Sequence, residues 1–474
     1  MLFNSYLFIF CFFPLFVAGF FLLSRLQNKT VALWFLTGMS LVFYGYNHVR
    51  YVPVIVVSIL VNYAVSRMLV SKRVTENEGA KKVWLILGVF FDLALIFYFK
   101  YYDFFFENIN AAFHTSFAMK HLLLPLGISF FTFQQISFVA DSYRGETADY
   151  GFAEYAAFVT FFPQLVAGPI VLHRELIPQY RDPAKRKINF DNLYDGAVRF
   201  SLGLFKKVLI ADTFGRAVAW GFANTEAATS GDLLVVMLAY TFQIYFDFSG
   251  YSDMAIGLAR MVNLSLPVNF DSPYKSYGIR EFWKRWHMTL TRFLTTYVYL
   301  PLGGSRRGSA RTYINMMIVF LLSGIWHGAN WTFILWGVLH GALSVLERMV
   351  QRVSERKGID FEVHPVIRWL YTFVLVNVLW LLFRAESVTQ WVSMLKQMAS
   401  LQSLSLSEGL LSAFASPVHV LYAAAFALVI SLCFENTAHR RINRNVRTVL
   451  LASGAFVVSV LSLGAESVFL YFNF

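Results

Sequence analysis

Charge is scarce in this chain. Asp, Glu, Lys and Arg make up 14% of its 474 residues, against about 25% in a soluble domain. With 57% hydrophobic residues and a mean hydropathy of +0.54, that shortage excludes a soluble globular protein and leaves a multi-span membrane protein. Backbone groups in lipid must bond internally, so the spans are helices unless a barrel closes, and these apolar runs are too long and continuous for alternating barrel strands. Cysteine is nearly absent as well. Cys11 and Cys433 both fall in apolar segments, which argues against a disulfide framework or a cysteine metal cluster. Internal repeats are not visible, which argues against an inverted-repeat transporter. Acidic residues are fewer than basic ones, 28 against 40, for a net charge of +12. The surplus sits in short loops, where it marks cytoplasmic ends and contacts with anionic lipid; nucleic acid is not an expected partner.

What is present is a series of apolar segments near span length. They cover residues 3–23, 31–47, 51–70, 83–99, 151–172, 194–220, 232–262, 313–329, 331–347, 367–384, 417–434 and 447–464. The expectation is an all-α polytopic fold of roughly 11–12 transmembrane helices, forming one membrane domain over residues 1–474. The first segment has no basic flank and no small-residue cleavage site, so it reads as a retained span. Arg67, Lys72, Arg73, Lys81 and Lys82 crowd the connection after the third segment, which places the N-terminus outside and the 100–120 connection facing outward.

Two stretches break the pattern. Residues 121–140 carry Pro125, Gly127, Ser129, Gln134 and Gln135, and read either as a re-entrant element lining a cavity or as a kinked helix in the bundle. Residues 265–311 are charge-rich. From Arg280 to Tyr299, Phe282, Trp286, Leu290, Phe293 and Tyr297 can share one apolar stripe, with Glu281 near Lys284 and Arg285; an interfacial amphipathic helix is expected.

Thr312 to Leu346 holds no Asp, Glu, Lys or Arg, and His327 lies inside it. An imidazole at that depth must find partners or water, and such residues read as functional by default. Histidine also moves protons best near neutral pH. His327 would take a hydroxyl proton as general base, while His287, at the rim in the interfacial helix, would orient a partner or polarise a carbonyl. The competing reading for His327 is a core histidine bonded to a backbone carbonyl. His340 reads as packing or partner contact, and no metal-ligand spacing surrounds these residues. Asp247 and Asp253 put carboxylates into an apolar segment, either as the polar lining of a passage or, for Asp247, beside a helix-end cap at Ser249-Gly250. Asp141, Asp149 and Glu154 read as solvated span ends.

Several blocks together resemble the membrane-bound O-acyltransferase superfamily, in its bacterial alginate O-acetyltransferase-like branch. They are Leu124-Pro125-Leu126-Gly127-Ile128-Ser129-Phe130-Phe131-Thr132-Phe133, Tyr245-Phe246-Asp247-Phe248-Ser249-Gly250-Tyr251-Ser252-Asp253-Met254-Ala255, Phe282-Trp283-Lys284-Arg285-Trp286-His287, Tyr299-Leu300-Pro301-Leu302-Gly303-Gly304, Gly324-Ile325-Trp326-His327-Gly328-Ala329 and the closing Phe469-Leu470-Tyr471-Phe472-Asn473-Phe474. The resemblance implies spans around a central funnel or tunnel, with His327 catalytic and His287 at the second signature position. Trp286, Trp326, Asn330, Asp253, Ser129 and Gln134 are candidate lining. It implies a bacterial inner-membrane enzyme with no bound cofactor, using acetyl-CoA as cytoplasmic donor and working with extracytoplasmic polysaccharide-modification partners. Lys284, Arg285, Arg306 and Arg307 would steer donor phosphates, or simply anchor the cytoplasmic face. Alternatives are D-alanyl transfer or peptidoglycan acylation within the superfamily, and a proton-coupled transporter or flippase using His327 and Asp253.

Overall fold

Apolar runs that cannot leave backbone groups bare in lipid fold here as helices. Every regular element among the described residues of the computed structural model is helical. Those residues are 1–358, 363–414, 417–433, 436–437, 442–464 and 469–470. Five helices are long and apolar enough to cross a bilayer: Val49–Leu69, Glu78–Phe113, Ser230–Met261, Trp331–Lys357 and Pro365–Arg384. Shorter apolar helices cover Phe8–Ser24, Thr30–Gly45 and Val446–Leu461. The chain is an all-α, polytopic membrane protein. It divides into two compact units.

The first unit comprises Met1–Leu202, Tyr251–Pro267 and Ile442–Val468. Its opening helices, α1 (Phe13–Ser24) and α2 (Lys29–Gly45), close over Phe162, whose ring meets Phe12, Phe16 and Phe43 at 5.5, 5.0 and 5.2 Å. Helices α3 (Val52–Leu69), α4 (Glu78–Ile96) and α5 (Ile128–Tyr143) pack together. Between them the Asn62 amide donates to Asp92 at 2.7 Å and Gln135 at 3.1 Å.

Three expectations in this unit need correction. The 100–120 connection is largely helix, because α4 continues through a π-helical turn, Phe97–Tyr101, into Tyr102–Phe113. The 151–172 segment is not a span. Its helix stops at Thr160, Phe161 turns (φ −48°, ψ 104°), and Pro163 starts a single turn over Phe162–Leu165, as expected of a residue with no N–H to continue a helix. Asp141 is not solvated: it is fully buried, bonded to Arg144 at 2.7 Å and His173 at 3.0 Å. Asp149 is exposed as expected, whereas Glu154 is mostly covered, its side chain 17% exposed; both are gripped by Arg181.

Within residues 121–140, the part before Gly127 is not helical and α5 follows. Gly127 caps α5 at φ +68°, where a Cβ would lie 2.6 Å from the Leu165 carbonyl oxygen, so glycine alone fits this left-handed, crowded position. Thirteen of the sixteen residues of α5 are buried, which is why its polar side chains are tolerable only inside the unit.

The second unit comprises Gly203–Gly250, Val268–Arg441 and Phe469–Phe474. Helix α6 (Ser230–Met261) runs unbroken past Ser249-Gly250, so no cap forms there. Asp247 is mid-helix and buried. Its carboxylate accepts from Lys207 Nζ at 2.6 Å and from the Leu470 backbone N–H at 3.0 Å. Lys207 also reaches Asp212 at 2.8 Å and lies 4.7 Å from the Phe469 ring centre. The pair is a buried ion pair with its remaining bonding capacity used, the arrangement that makes such burial tolerable.

Candidate active site

The expected amphipathic helix from Arg280 to Tyr299 is broken at its centre. Helix α7 (Ile279–Arg285) ends where Trp286 turns extended, and α8 (Met288–Leu294) begins after His287, which is left-handed at φ +43°. The break comes from Asn269. Its backbone carbonyl takes the Met288 N–H at 3.0 Å, and its Oδ1 takes the Thr289 N–H at 3.2 Å and hydroxyl at 2.9 Å. Asn269 thus caps α8 from outside the helix, satisfying donors its first turn would leave bare. The stripe survives as core: Phe282, Trp286, Leu290 and Phe293 are all buried.

His287 is therefore not at a rim but fully enclosed. Its Nδ1 lies 3.0 Å from Asn269 Oδ1. Because a backbone N–H donates to that same Oδ1, the atom is an acceptor and Nδ1 carries the ring proton. Burial pushes the imidazole down to about 3, since the charged form would be desolvated. The ring is thus neutral, with its Nε2 lone pair as an acceptor. That form suits orienting a hydroxyl; it does not suit polarising a carbonyl.

His327 is the last residue of α9 (Gly308–His327), and α10 (Trp331–Lys357) turns back against it. The hairpin is tight because two glycines face each other. A Cβ on Gly324 would meet the Phe333 carbonyl oxygen at 2.4 Å, and one on Gly337 the Phe320 carbonyl oxygen at 2.4 Å. The turn is fixed by Asn330, whose Oδ1 accepts the Thr332 N–H at 2.9 Å and whose amide donates to the Glu386 carbonyl at 3.0 Å. Asn330 thus caps α10. His327 is 3% exposed and boxed by the rings of Trp326, Trp336 and Phe383 at 4.9, 5.2 and 5.1 Å.

Trp326 joins the two histidines: its ring lies 6.0 Å from His287 and 4.9 Å from His327. Phe248 closes the other contact to His287 at 4.8 Å. Trp286 packs on Trp380 at 4.8 Å and Phe270 at 5.0 Å. Asp253, Ser129 and Gln134 belong to the first unit. There Asp253 lies 4.0 Å from Arg199, and Lys100 donates to Ser129 at 3.4 Å.

A cavity of about 290 Å³ opens among α7, α8, α9 and α10, lined by Trp283, Leu294, Val319, Phe320, Ser323 and Ser344, with Arg280, Lys284 and Arg348 also in its wall. Of the expected phosphate-steering residues, Lys284 reaches this cavity. Arg285 is held by Glu281 at 3.0 Å and Asp271 at 3.8 Å, while Arg306 and Arg307 are exposed and do not line it, although the adjacent Ser305 does. Sequence reasoning missed Asn269, Trp336, Phe383, Arg280 and Arg348. Only Trp336 had a local signal, standing one turn before His340 in the uncharged stretch.

The chain matches the family model described as MBOAT, membrane-bound O-acyltransferase family, over residues 94–385. It is 38% identical to a peptidoglycan O-acetyltransferase of Helicobacter pylori, over 100% of this chain and 98% of that protein. It is 41% identical to a protein of Azotobacter vinelandii named "Probable alginate O-acetylase AlgI", over 82% of this chain and 76% of that one. A teichoic acid D-alanyltransferase of Streptococcus thermophilus is 28% identical, over 56% of this chain and 68% of that protein.

Proposed function

The chain belongs to the membrane-bound O-acyltransferase family and is an O-acyltransferase; from that premise we propose that it moves an acetyl group from a cytoplasmic thioester, acetyl-CoA, onto a hydroxyl of an extracytoplasmic glycan, directly or through partner proteins. The bacterial inner membrane, with the N-terminus outside, is part of this reading, and no bound cofactor is needed for it. The observation that carries it is the pairing of two buried imidazoles on one indole, Trp326.

In this reading the His327 ring removes the proton of the acceptor hydroxyl as its oxygen attacks the thioester carbonyl. The tetrahedral intermediate collapses to ester and thiolate, and the thiolate takes the proton back, so atoms and charge balance. His287, with Nδ1–H tied to Asn269, offers Nε2 as an acceptor that aligns the hydroxyl. The aromatic box excludes water that would otherwise hydrolyse the donor. Arg280, Lys284 and Arg348 at the cavity supply cations for donor phosphates.

Peptidoglycan is a second reading for the acceptor, favoured by one observation: the relative named for it matches end to end, whereas the alginate-named one covers 82% of the chain. The test is purified protein in detergent with labelled acetyl-CoA and candidate glycans. Label on a glycan, lost in His327→Ala, supports the proposal. Solute movement without acyl cleavage would favour the transporter.

A further inference from the structure

The helix Val446–Leu461 is tied to the first unit at its two ends. At one end Arg444 meets Asp191 at 2.9 Å; at the other the Tyr6 hydroxyl donates to the Val460 carbonyl at 2.9 Å. Between these ties lies a cavity of about 500 Å³. Its walls are that helix, the helix Phe190–Phe205, Met261 of α6, and Phe8 and Phe13 around the start of α1. Protein interiors close-pack, so a gap of this size is a binding volume rather than slack. Val449 and Val457 in its wall are exposed, so it opens sideways from the bundle, where the bilayer lies. The lining is apolar. Of its three hydroxyl groups, Ser201 donates to the Ala197 carbonyl at 2.8 Å and Tyr194 to the Asn443 carbonyl at 3.2 Å, which leaves Ser453 alone to bond a polar ligand. One end is basic. Arg444 and Arg260 are matched there by Asp191 and Asp195. Arg447, two residues before Val449, is exposed, and so is Lys187, whose carbonyl is held by Asn263 beside Asn192. Neither cation has an acidic partner among the described residues. An adjoining cleft of about 230 Å³, lined by Val17, Phe21, Ile188 and Leu193, adds Arg25 to its wall, exposed and likewise unmatched among the described residues.

We propose that the two clefts bind the chains of one anionic glycerophospholipid, with its headgroup on the basic end formed by Arg25, Lys187 and Arg447, and that this lipid fills the gap between the helix Val446–Leu461 and the rest of the unit. The site is separate from acyl transfer. Apolar walls with their hydroxyls already bonded match methylene chains and leave a sugar or peptide unsatisfied. Unmatched cations at one end match a phosphate. Two clefts that meet at the consecutive residues Leu193 and Tyr194 match two chains. The positive-inside rule sets basic ends against the anionic leaflet. A zwitterionic lipid would leave the cations unanswered, and a fatty acid would fill only one cleft.

The test is native mass spectrometry of the full chain in detergent, titrated with phosphatidylglycerol and with phosphatidylcholine of the same chains. The wild type retains phosphatidylglycerol more tightly than phosphatidylcholine. Arg25→Gln, Lys187→Gln and Arg447→Gln each weaken phosphatidylglycerol about fivefold and leave phosphatidylcholine unchanged. Ala197→Phe puts a ring into the larger cleft from an exposed position, and weakens both lipids. Equal affinity of the wild type for the two lipids overturns the proposal, as does wild-type binding of phosphatidylglycerol by the three charge variants. Wild-type lipid binding by Ala197→Phe overturns the placement of the chain. A lipid-free dimer that Ala197→Phe dissociates would put a second copy on this face, and overturns it as well.

Discussion

Replacing Gly324 by alanine tests how His327 is held. The added methyl would sit 2.4 Å from the Phe333 carbonyl oxygen and near the Gly337 backbone at 3.1 Å. Neither neighbour is a side chain that can swing away, so α9 and α10 must part by roughly an ångström to restore ordinary contact. Overpacking of this kind costs about 1–3 kcal/mol, too little to unfold a protein of this size. A shift of about 1 Å at a catalytic group can cost about 100-fold in rate. The prediction is therefore a dissociation of effects: Gly324→Ala inserts into membranes and melts a few degrees lower in detergent, while its acetyl-transfer rate falls by about two orders of magnitude. Gly454→Ala is the control. It lies inside the helix Val446–Leu461 with nothing within 4 Å of a new Cβ, so it gains about 0.5–1 kcal/mol of helix propensity. Full activity in Gly324→Ala would refute the idea that glycine contact sets the position of His327.

His287 makes stability depend on pH. Its folded value of about 3 lies below the ordinary 6.5, so the unfolded chain binds the proton first. Stability then falls as pH drops from about 6.5 toward 3, by up to about 1.4 kcal/mol per unit; melting curves of His287→Gln should show a shallower slope over that window, and an equal slope would contradict the assignment. His287→Ala should also lower turnover, by about 10² to 10⁴-fold if it aligns the hydroxyl, and normal turnover would relegate it to packing. At the Lys207–Asp247 pair, Asp247→Leu leaves a buried ammonium short of its partner and should cost about 3–5 kcal/mol, whereas Lys207→Met with Asp247→Leu should recover much of that. A double variant less stable than either single one, measured by thermal unfolding, would remove the electrostatic explanation.

The long uncharged stretch announced His327, and Asn330-Trp331 within it announced the helix break that follows. Apolar length fixed most helices, since span-length runs have no other fold in lipid. The stripe over Phe282, Trp286, Leu290 and Phe293 was legible as one apolar face, expected at the membrane interface, but not as protein core. Its break was not legible, because the cap comes from Asn269, which carries no local sign of its role. The same cause hid the burial of Asp141, whose partner His173 is far along the chain, and the identity of the donors to Asp247, which are Lys207 and Leu470. Local composition reads an acid near polar neighbours as solvated; only tertiary partners reveal otherwise. Pro163 is different. Its signal stood within the 151–172 run, and hydropathy outweighed it there.

The central claim is that the His327 ring performs the proton transfer. Acetyl content of the cell's exported glycan, measured in cells carrying His327→Ala at normal expression and membrane insertion, tests it most directly. The account predicts that acetyl content falls to the level of a strain lacking the protein. Wild-type acetylation in that variant would contradict it.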